Sequence, residues 1–167
     1  GQSMGIVSNG LIVGETLTFD GSAETDGFYQ IFAGAGNDTI NASQGADLIS
    51  GGGGGDTLTG NGGDDTFLYN SLANSTPADA DQITDFTTGD VIRLAGIDAD
   101  TGVSGNQAFT FIGSSAFSST AGELRAVNTS GNDWRVEADN DGDGTADLEI
   151  DVTTADGNPL DAGDFIL

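Results

Sequence analysis

Neither cysteine nor histidine occurs anywhere in the 167 residues. Disulfides, thiolate nucleophiles and thiolate metal sites are therefore excluded. So are imidazole-based zinc sites and histidine acid–base chemistry. Basic residues are almost as scarce: Arg93, Arg125 and Arg135 stand against 27 acids, for a net charge of −24. A nucleic-acid backbone needs Lys and Arg at its phosphates, and an anionic membrane surface asks for the same charge, so neither partner fits. No apolar run approaches ~18 residues, and no membrane insertion is expected. There is no signal peptide at the start, where Gly1-Gln2-Ser3-Met4 reads as a tag remnant followed by an initiator Met. If the protein is exported, its address lies elsewhere. What the acid excess suits is a hard cation.

Glycine, by contrast, is abundant, at 28 residues, and 36 % of the chain is hydrophobic, including nine Phe. That apolar fraction argues against simple disorder, provided something removes the charge repulsion. The glycines are ordered too. Residues 33–68 divide into AGAGNDTIN, ASQGADLIS, GGGGGDTLT and GNGGDDTFL, four nine-residue blocks with Asp at the sixth place and an apolar residue at the eighth. The aspartates are Asp38, Asp47, Asp56 and Asp65; the apolar residues are Ile40, Ile49, Leu58 and Phe67. A worn copy lies upstream, Gly21 to Phe28, with Asp26 at the aspartate place. A flexible linker has no reason to keep this spacing.

The glycine half of each block reads as a tight turn. The other half is too short for a helix but long enough for a three-residue strand with one residue pointing inward. One block cannot bury a core; stacked coils can. Two blocks make a coil of eighteen residues, which sets Asp38 over Asp56 and Asp47 over Asp65 at a spacing of about 4.8 Å. Bare carboxylates that close repel. Ca²⁺ between them, with oxygens at about 2.3–2.6 Å, reverses the sign, whereas Mg²⁺ demands tighter octahedral geometry. Carbonyls of the turn glycines (Gly34, Gly36, Gly45, Gly51, Gly53, Gly60 and Gly62) are expected to complete the shell. Asp26 would begin the ladder, and acids after residue 78 would close it.

The repeats resemble the hemolysin-type calcium-binding repeats of RTX proteins, a known calcium-binding β-helix signature. The resemblance continues through DQITDFTTGDVIRLAGID (81–98), FIGSSAFSSTAGELR (111–125), DNDGDGTADLEI (139–150) and the terminal DFIL. Together these look like the C-terminal domain of serralysin-type proteases, in which Asp81, Asp85 and Asp90 match the acidic positions of the segment that closes the roll. The same domain follows metalloproteases, lipases and alginate epimerases, and the zinc motif H-E-x-x-H is absent here. The resemblance implies an all-β protein: a calcium-binding parallel β-roll followed by a β-sandwich-like C-terminal cap. It implies a bacterial module that binds several Ca²⁺ ions, folds outside the cell, and carries an uncleaved signal for a type I secretion apparatus, behind an effector domain that precedes it.

On this reading residues 1–20 are the tag remnant plus a capping strand (Ile12, Leu17, Phe19) or a linker, 21–68 the roll, and 69–167 the closing segment and cap. Residues 69–80 read as a loop. Ile83, Phe86, Val91, Ile92 and Leu94 read as strands around the Gly89-Asp90 turn. Phe109, Phe111, Ile112 and Phe117 are expected in the core, and Leu124, Val127, Trp134 and Val136 in strands around Ser130-Gly131-Asn132. A second acidic motif places Asp139, Asp141, Asp143 and Asp147 at positions 1, 3, 5 and 9 of an EF-hand-like loop, with Gly144 at position 6. Position 12 is Ile150 and the flanks alternate as strands, so this is no EF-hand; it is a weaker Ca²⁺ loop or an acidic turn. The last residues are a docked strand, an exporter tail, or both in turn. A monomer is expected, and no catalysis of its own, because nothing in the sequence suggests an apolar pocket around one acid to raise its pKa. A calcium-dependent polysaccharide-binding, adhesin or surface-layer module is the alternative, with Tyr29 and Tyr69 the only tyrosines available to it.

Overall fold

Each nine-residue block forms one short strand centred on its apolar residue. The computed structural model describes residues 3–7 and 14–167, so Ile12 lies outside the described residues. In chain order the strands are β1 (Ser3–Val7), β2 (Thr18–Asp20), β3 (Phe28–Phe32), β4 (Thr39–Asn41), β5 (Leu48–Ser50), β6 (Thr57–Thr59), β7 (Thr66–Leu68), β8 (Asp81–Phe86) and β9 (Val91–Arg93). They are followed by β10 (Thr110–Phe111), β11 (Glu123–Ser130), β12 (Asp133–Asp139), β13 (Leu148–Thr154) and β14 (Phe165–Ile166).

Strands β1 to β9 fall alternately into two sheets, as a roll requires. One runs β1-β3-β5-β7-β9-β14 and the other β10-β11-β12-β13-β8-β6-β4-β2. In the first, Ile31, Ile49, Phe67 and Ile92 lie in parallel register. In the second, Phe19, Ile40, Leu58 and Ile83 do the same. All but the partly buried Phe19 are essentially inaccessible to solvent. Each such residue contributes about 1.5–3 kcal/mol by leaving water, and the two stacks form the core between the sheets.

The stacking is tight enough to dictate glycine at particular places. At Gly52, φ is +98° and a Cβ would stand 1.9 Å from the Gly34 carbonyl oxygen one coil below; at Gly36 it would stand 2.0 Å from the Glu15 oxygen. No side chain fits there.

The roll is longer than residues 21–68. β8 and β9 pair in register with β6 and β7, because the wider loop at 69–80 is absorbed as a bulging turn and the next coil resumes beyond it. At the other end β2 continues the second sheet by pairing with β4, and β1 continues the first by pairing with β3. Leu17 and Phe19 thus lie beside the coil of β4, with the Thr39 N–H donating to Leu17 O and Phe19 paired with Ile40. The cap grows from the same sheets: β13 adds in parallel to β8, then β12 and β11 return as an antiparallel meander. β14 adds in parallel to β9, and Phe165 packs on Phe111 of β10 at 5.1 Å between ring centroids. Leu124, Val136 and Phe109 are buried as expected. Val127 is only half-buried, because the inward phase of β11 is Leu124 and Ala126. Phe111, Ile112 and Phe117 are half-buried as well, and Phe117 lies under the Arg125 guanidinium at 4.4 Å.

Candidate metal centre

The aspartate stands two residues before the inward apolar residue, so it points to the same side of its strand. Asp38, Asp47, Asp56, Asp65, Asp81 and Asp90 are consequently buried, each 3 % exposed or less. They form two ladders, one along each rim of the roll. On one rim Asp56 Oδ1 accepts the Asp38 N–H at 2.8 Å, and Asp81 Oδ1 accepts the Asp56 N–H at 2.8 Å. On the other, Asp65 Oδ1 accepts the Asp47 N–H at 2.7 Å and Asp90 Oδ1 accepts the Asp65 N–H at 2.9 Å. The bonded residues are 18 apart within the repeats and 25 apart across the enlarged turns. The first rungs are capped by backbone donors from Leu17 to Asp38 and from Tyr29 to Asp47.

That register corrects the frame of the upstream copy. Ile31 pairs with Ile49, so the aspartate place of this coil is Tyr29, three residues after Asp26. Asp26 is exposed and off the ladder. The local acid with a structural task is Glu24, whose Oε1 accepts the N–H groups of Thr25, Asp26 and Gly27 at 3.0 Å each. Its sequence signal was weak, since it sits at no repeat position.

Burial without positive charge leaves its mark on the carboxyls. Burial pushes Asp56 up to about 7, with the Asp38 charge adding to it. Burial, then the charges of Asp90, Asp47 and Asp85, takes Asp65 to about 7. Burial and the charge of Asp56 take Asp81 to about 8, and burial raises Asp90 as well. Two of the outer oxygens, Asp56 Oδ2 and Asp81 Oδ2, are buried and have no hydrogen-bond partner among the described residues. Such an oxygen is costly unless a partner meets it. The rim therefore fits a hard cation: it offers carboxylate and carbonyl oxygens only, the set that suits Ca²⁺.

The glycines named from the sequence all lie on these rims. Gly51 and Gly60 sit beneath the aspartates of their own coils, where a Cβ would stand 2.0 Å from Asp56 Oδ2 and 2.2 Å from Asp65 Oδ2. Gly34, Gly36 and Gly53 join neighbouring turns: the Gly53 N–H donates to Gly34 O at 2.9 Å and the Gly36 N–H to Gly53 O at 2.7 Å. Gly45 stacks on the Gly27 carbonyl and Gly62 lies beside Gln44. Asp85 plays a different part from the ladder aspartates. Its carboxylate accepts the N–H groups of Gly60 at 3.0 Å and Asn61 at 2.7 Å, clamping the turn below it.

A second acidic group lies far along the chain, in the turn between β12 and β13. One carboxylate oxygen from each of Asp139, Asp141 and Asp147 falls within 4.8 Å of the others. Asp139 is fully buried and accepts the Gly142 and Gly144 N–H groups at 2.6 and 2.9 Å; Asp147 accepts the Asn140 N–H at 2.8 Å. Asp143 does not join them. It turns to the Thr145 backbone and hydroxyl at 2.7 and 2.6 Å.

Two solved structures share this fold across nearly the whole chain. Both are subunits of the mannuronan C5-epimerase of Azotobacter vinelandii. AlgE6R2 aligns with a TM-score of 0.61 at 21 % identity, covering 99 % of this chain and 91 % of that one. AlgE6R3 aligns with a TM-score of 0.60 at 19 % identity, covering 96 % and 82 %. No curated protein matches the sequence. Residues 29–167, from β3 to the last strand, match the family described as Peptidase M10 serralysin C terminal. The chain belongs to that family: it is a calcium-binding, secretion-associated and non-catalytic β-roll module of secreted bacterial RTX proteins.

Proposed function

We propose that this module is a calcium-driven folding switch, carried at the C-terminal end of a longer exported protein, whose two aspartate ladders hold the ions. The observation that carries the reading is the pair of buried, unpartnered oxygens on Asp56 and Asp81. Ca²⁺ held on the rims supplies the positive charge that burial of these carboxylates requires. The chain's own part is to present them. Oδ1 of each ladder aspartate is spent on the coil below; Oδ2 of Asp56 and of Asp81 and the turn carbonyls remain for the ion, while Oδ2 of Asp38, Asp47 and Asp90 also accepts the N–H of Gly34, Ser43 and Thr87 in its own turn. Asp38, Asp47, Asp56, Asp65, Asp81 and Asp90 are the proposed carboxylate ligands, and Asp139, Asp141 and Asp147 a separate site. Without the ion, a chain of net charge −24 repels itself and stays expanded, the state suited to a narrow type I export channel. Binding free energy then becomes folding free energy outside the cell.

Far-UV circular dichroism during a Ca²⁺ titration of metal-free protein, with Mg²⁺ as control, tests this. A coil-to-β transition specific to Ca²⁺ is expected. A metal-free chain already folded at neutral pH and indifferent to Ca²⁺ would remove the switch.

The polysaccharide alternative has one observation to stand on: a shallow cavity of about 500 Å³ beside Trp134, Arg135, Gln82 and Thr153. Arg135 is already paired with Glu149 and Asp151, each at 3.0 Å, so an anionic sugar finds no free cation there. We take the folding switch as the function and the monomer as its working form.

A further inference from the structure

The repeat breaks at one informative place. The Ala33 N–H donates to the carbonyl of Ser50, and the Tyr69 N–H donates in the same way to that of Arg93. Tyr69 therefore occupies, one coil on, the place held by Gly51 and before it by Ala33. A Cβ at Gly51 would already collide with Asp56 Oδ2, so the repeat keeps this place small. Here it holds the bulkiest of the fully buried side chains, 1 % exposed. The enlarged turn that follows, with the Asp56–Asp81 rung spanning 25 residues instead of 18, gives the ring its room.

The phenol is not idle packing. The Asp81 carboxyl and the Asp56 charge both act on its buried hydroxyl. Yet Tyr69 Oη, Asp56 Oδ2 and Asp81 Oδ2 all lack a hydrogen bond of good geometry among the described residues. Three buried oxygens at the end of one ladder thus lack a partner among the described residues. One of them carries a proton to donate, and two are acceptors.

We propose that Tyr69 is a positioning residue for the last cation site of this rim: with the ion present, its O–H donates to the Asp81 carboxylate and fixes the Asp56–Asp81 pair for binding. The inference rests on the folding-switch reading above. It gives this rim a fixed end, where the other rim ends in the Asp85 turn clamp.

The test uses Tyr69→Phe, which keeps the ring and removes only the hydroxyl, and Tyr29→Phe, which leaves Tyr69 as the single tyrosine. Two readouts are taken on the full chain during a Ca²⁺ titration: the folding midpoint and the tyrosine ultraviolet difference spectrum. Tyr69→Phe is expected to raise the calcium midpoint about tenfold, as loss of a hydrogen bond to a charged group would. It should also abolish a calcium-induced red shift of the tyrosine band that Tyr29→Phe retains. An unchanged midpoint in Tyr69→Phe overturns the proposal. So does a Tyr29→Phe protein whose tyrosine band does not shift with Ca²⁺, a result that stands even if Tyr69→Phe fails to fold. A wild-type chain that ignores Ca²⁺ sinks the folding-switch reading itself and this one with it.

Discussion

With a chelator in place of Ca²⁺, lowering the pH from 8 to 5 should fold this protein rather than unfold it. A carboxyl whose pKa is raised by folding binds its proton more tightly in the folded chain. The metal-free fold therefore gains stability as pH falls from about 8 towards about 4, and loses it as pH rises through the folded values. Asp56 and Asp65 sit at about 7 and Asp81 at about 8. Screening at the rim removes part of each shift; about two pH units per carboxyl leaves about 3 kcal/mol each against the metal-free fold at pH 7.5. Three such groups together offset much of the ~5–15 kcal/mol that stabilises an ordinary domain. Ordinary exposed carboxylates protonate only near pH ~4, so a transition centred above about pH 5 belongs to the ladders. The assay is far-UV circular dichroism in chelator across pH 8 to 5, with light scattering to watch for association above the isoelectric point near 4.1. The calcium midpoint should rise as pH falls, because ion and proton compete for the same oxygens. Asp56→Asn should flatten both profiles: the metal-free variant is more structured than wild type at pH 7.5, and its response to calcium is weaker. A metal-free β-signal that is flat or declines from pH 8 to 5, or a calcium midpoint independent of pH, would refute the reasoning.

Two further outcomes follow from the geometry. Gly52→Ala forces a Cβ to 1.9 Å from a carbonyl at φ +98° and should cost about 3 kcal/mol or more, seen as failure to fold at saturating calcium; Gly131→Ala, at φ +57° with open space around it, should cost about 1 kcal/mol in urea titration. Asp139→Asn should remove one calcium-binding event from a calorimetric titration, while Asp143→Asn, whose carboxylate is turned to Thr145, leaves the count unchanged.

The roll was legible because its signal is periodic and local. An aspartate two places before an apolar residue, repeated every nine, fixes which side chains face inward and which coils stack; Asp38 over Asp56 and Asp47 over Asp65 follow from that alone. The upstream coil was misframed at Asp26 because the period there is not kept. Tyr29 holds the aspartate place, and only the pairing of Ile31 with Ile49 reveals it. The continuation through Asp81 and Asp90 was visible as acidic positions but not as coils, since the stacked residues are 25 apart rather than 18. Asp143 was out of reach for a different reason. Its spacing is that of a ligand, and the nearby Thr145 hydroxyl decides otherwise. Val127 lies in a strand as read, half-buried because the inward phase of β11 falls on Leu124 and Ala126.

The last strand docks on the last coil of the roll. β14 has β9 as its partner, with the Leu94 N–H donating to Ile166 O at 2.8 Å and Phe165 covered by the cap. β9 is in turn held to the roll through the register of Val91 and Ile92 on Thr66 and Phe67, next to the Asp65–Asp90 rung. An open rung leaves that rung's carboxylates in water, where they repel, and so removes the surface on which the tail docks. The C-terminal strand thus docks on β9, whose place beside β7 goes with the Asp65–Asp90 rung. On the proposed reading, a tail that must be read during export stays free while the ladders are empty, and it becomes hidden when the ions that complete the fold are bound.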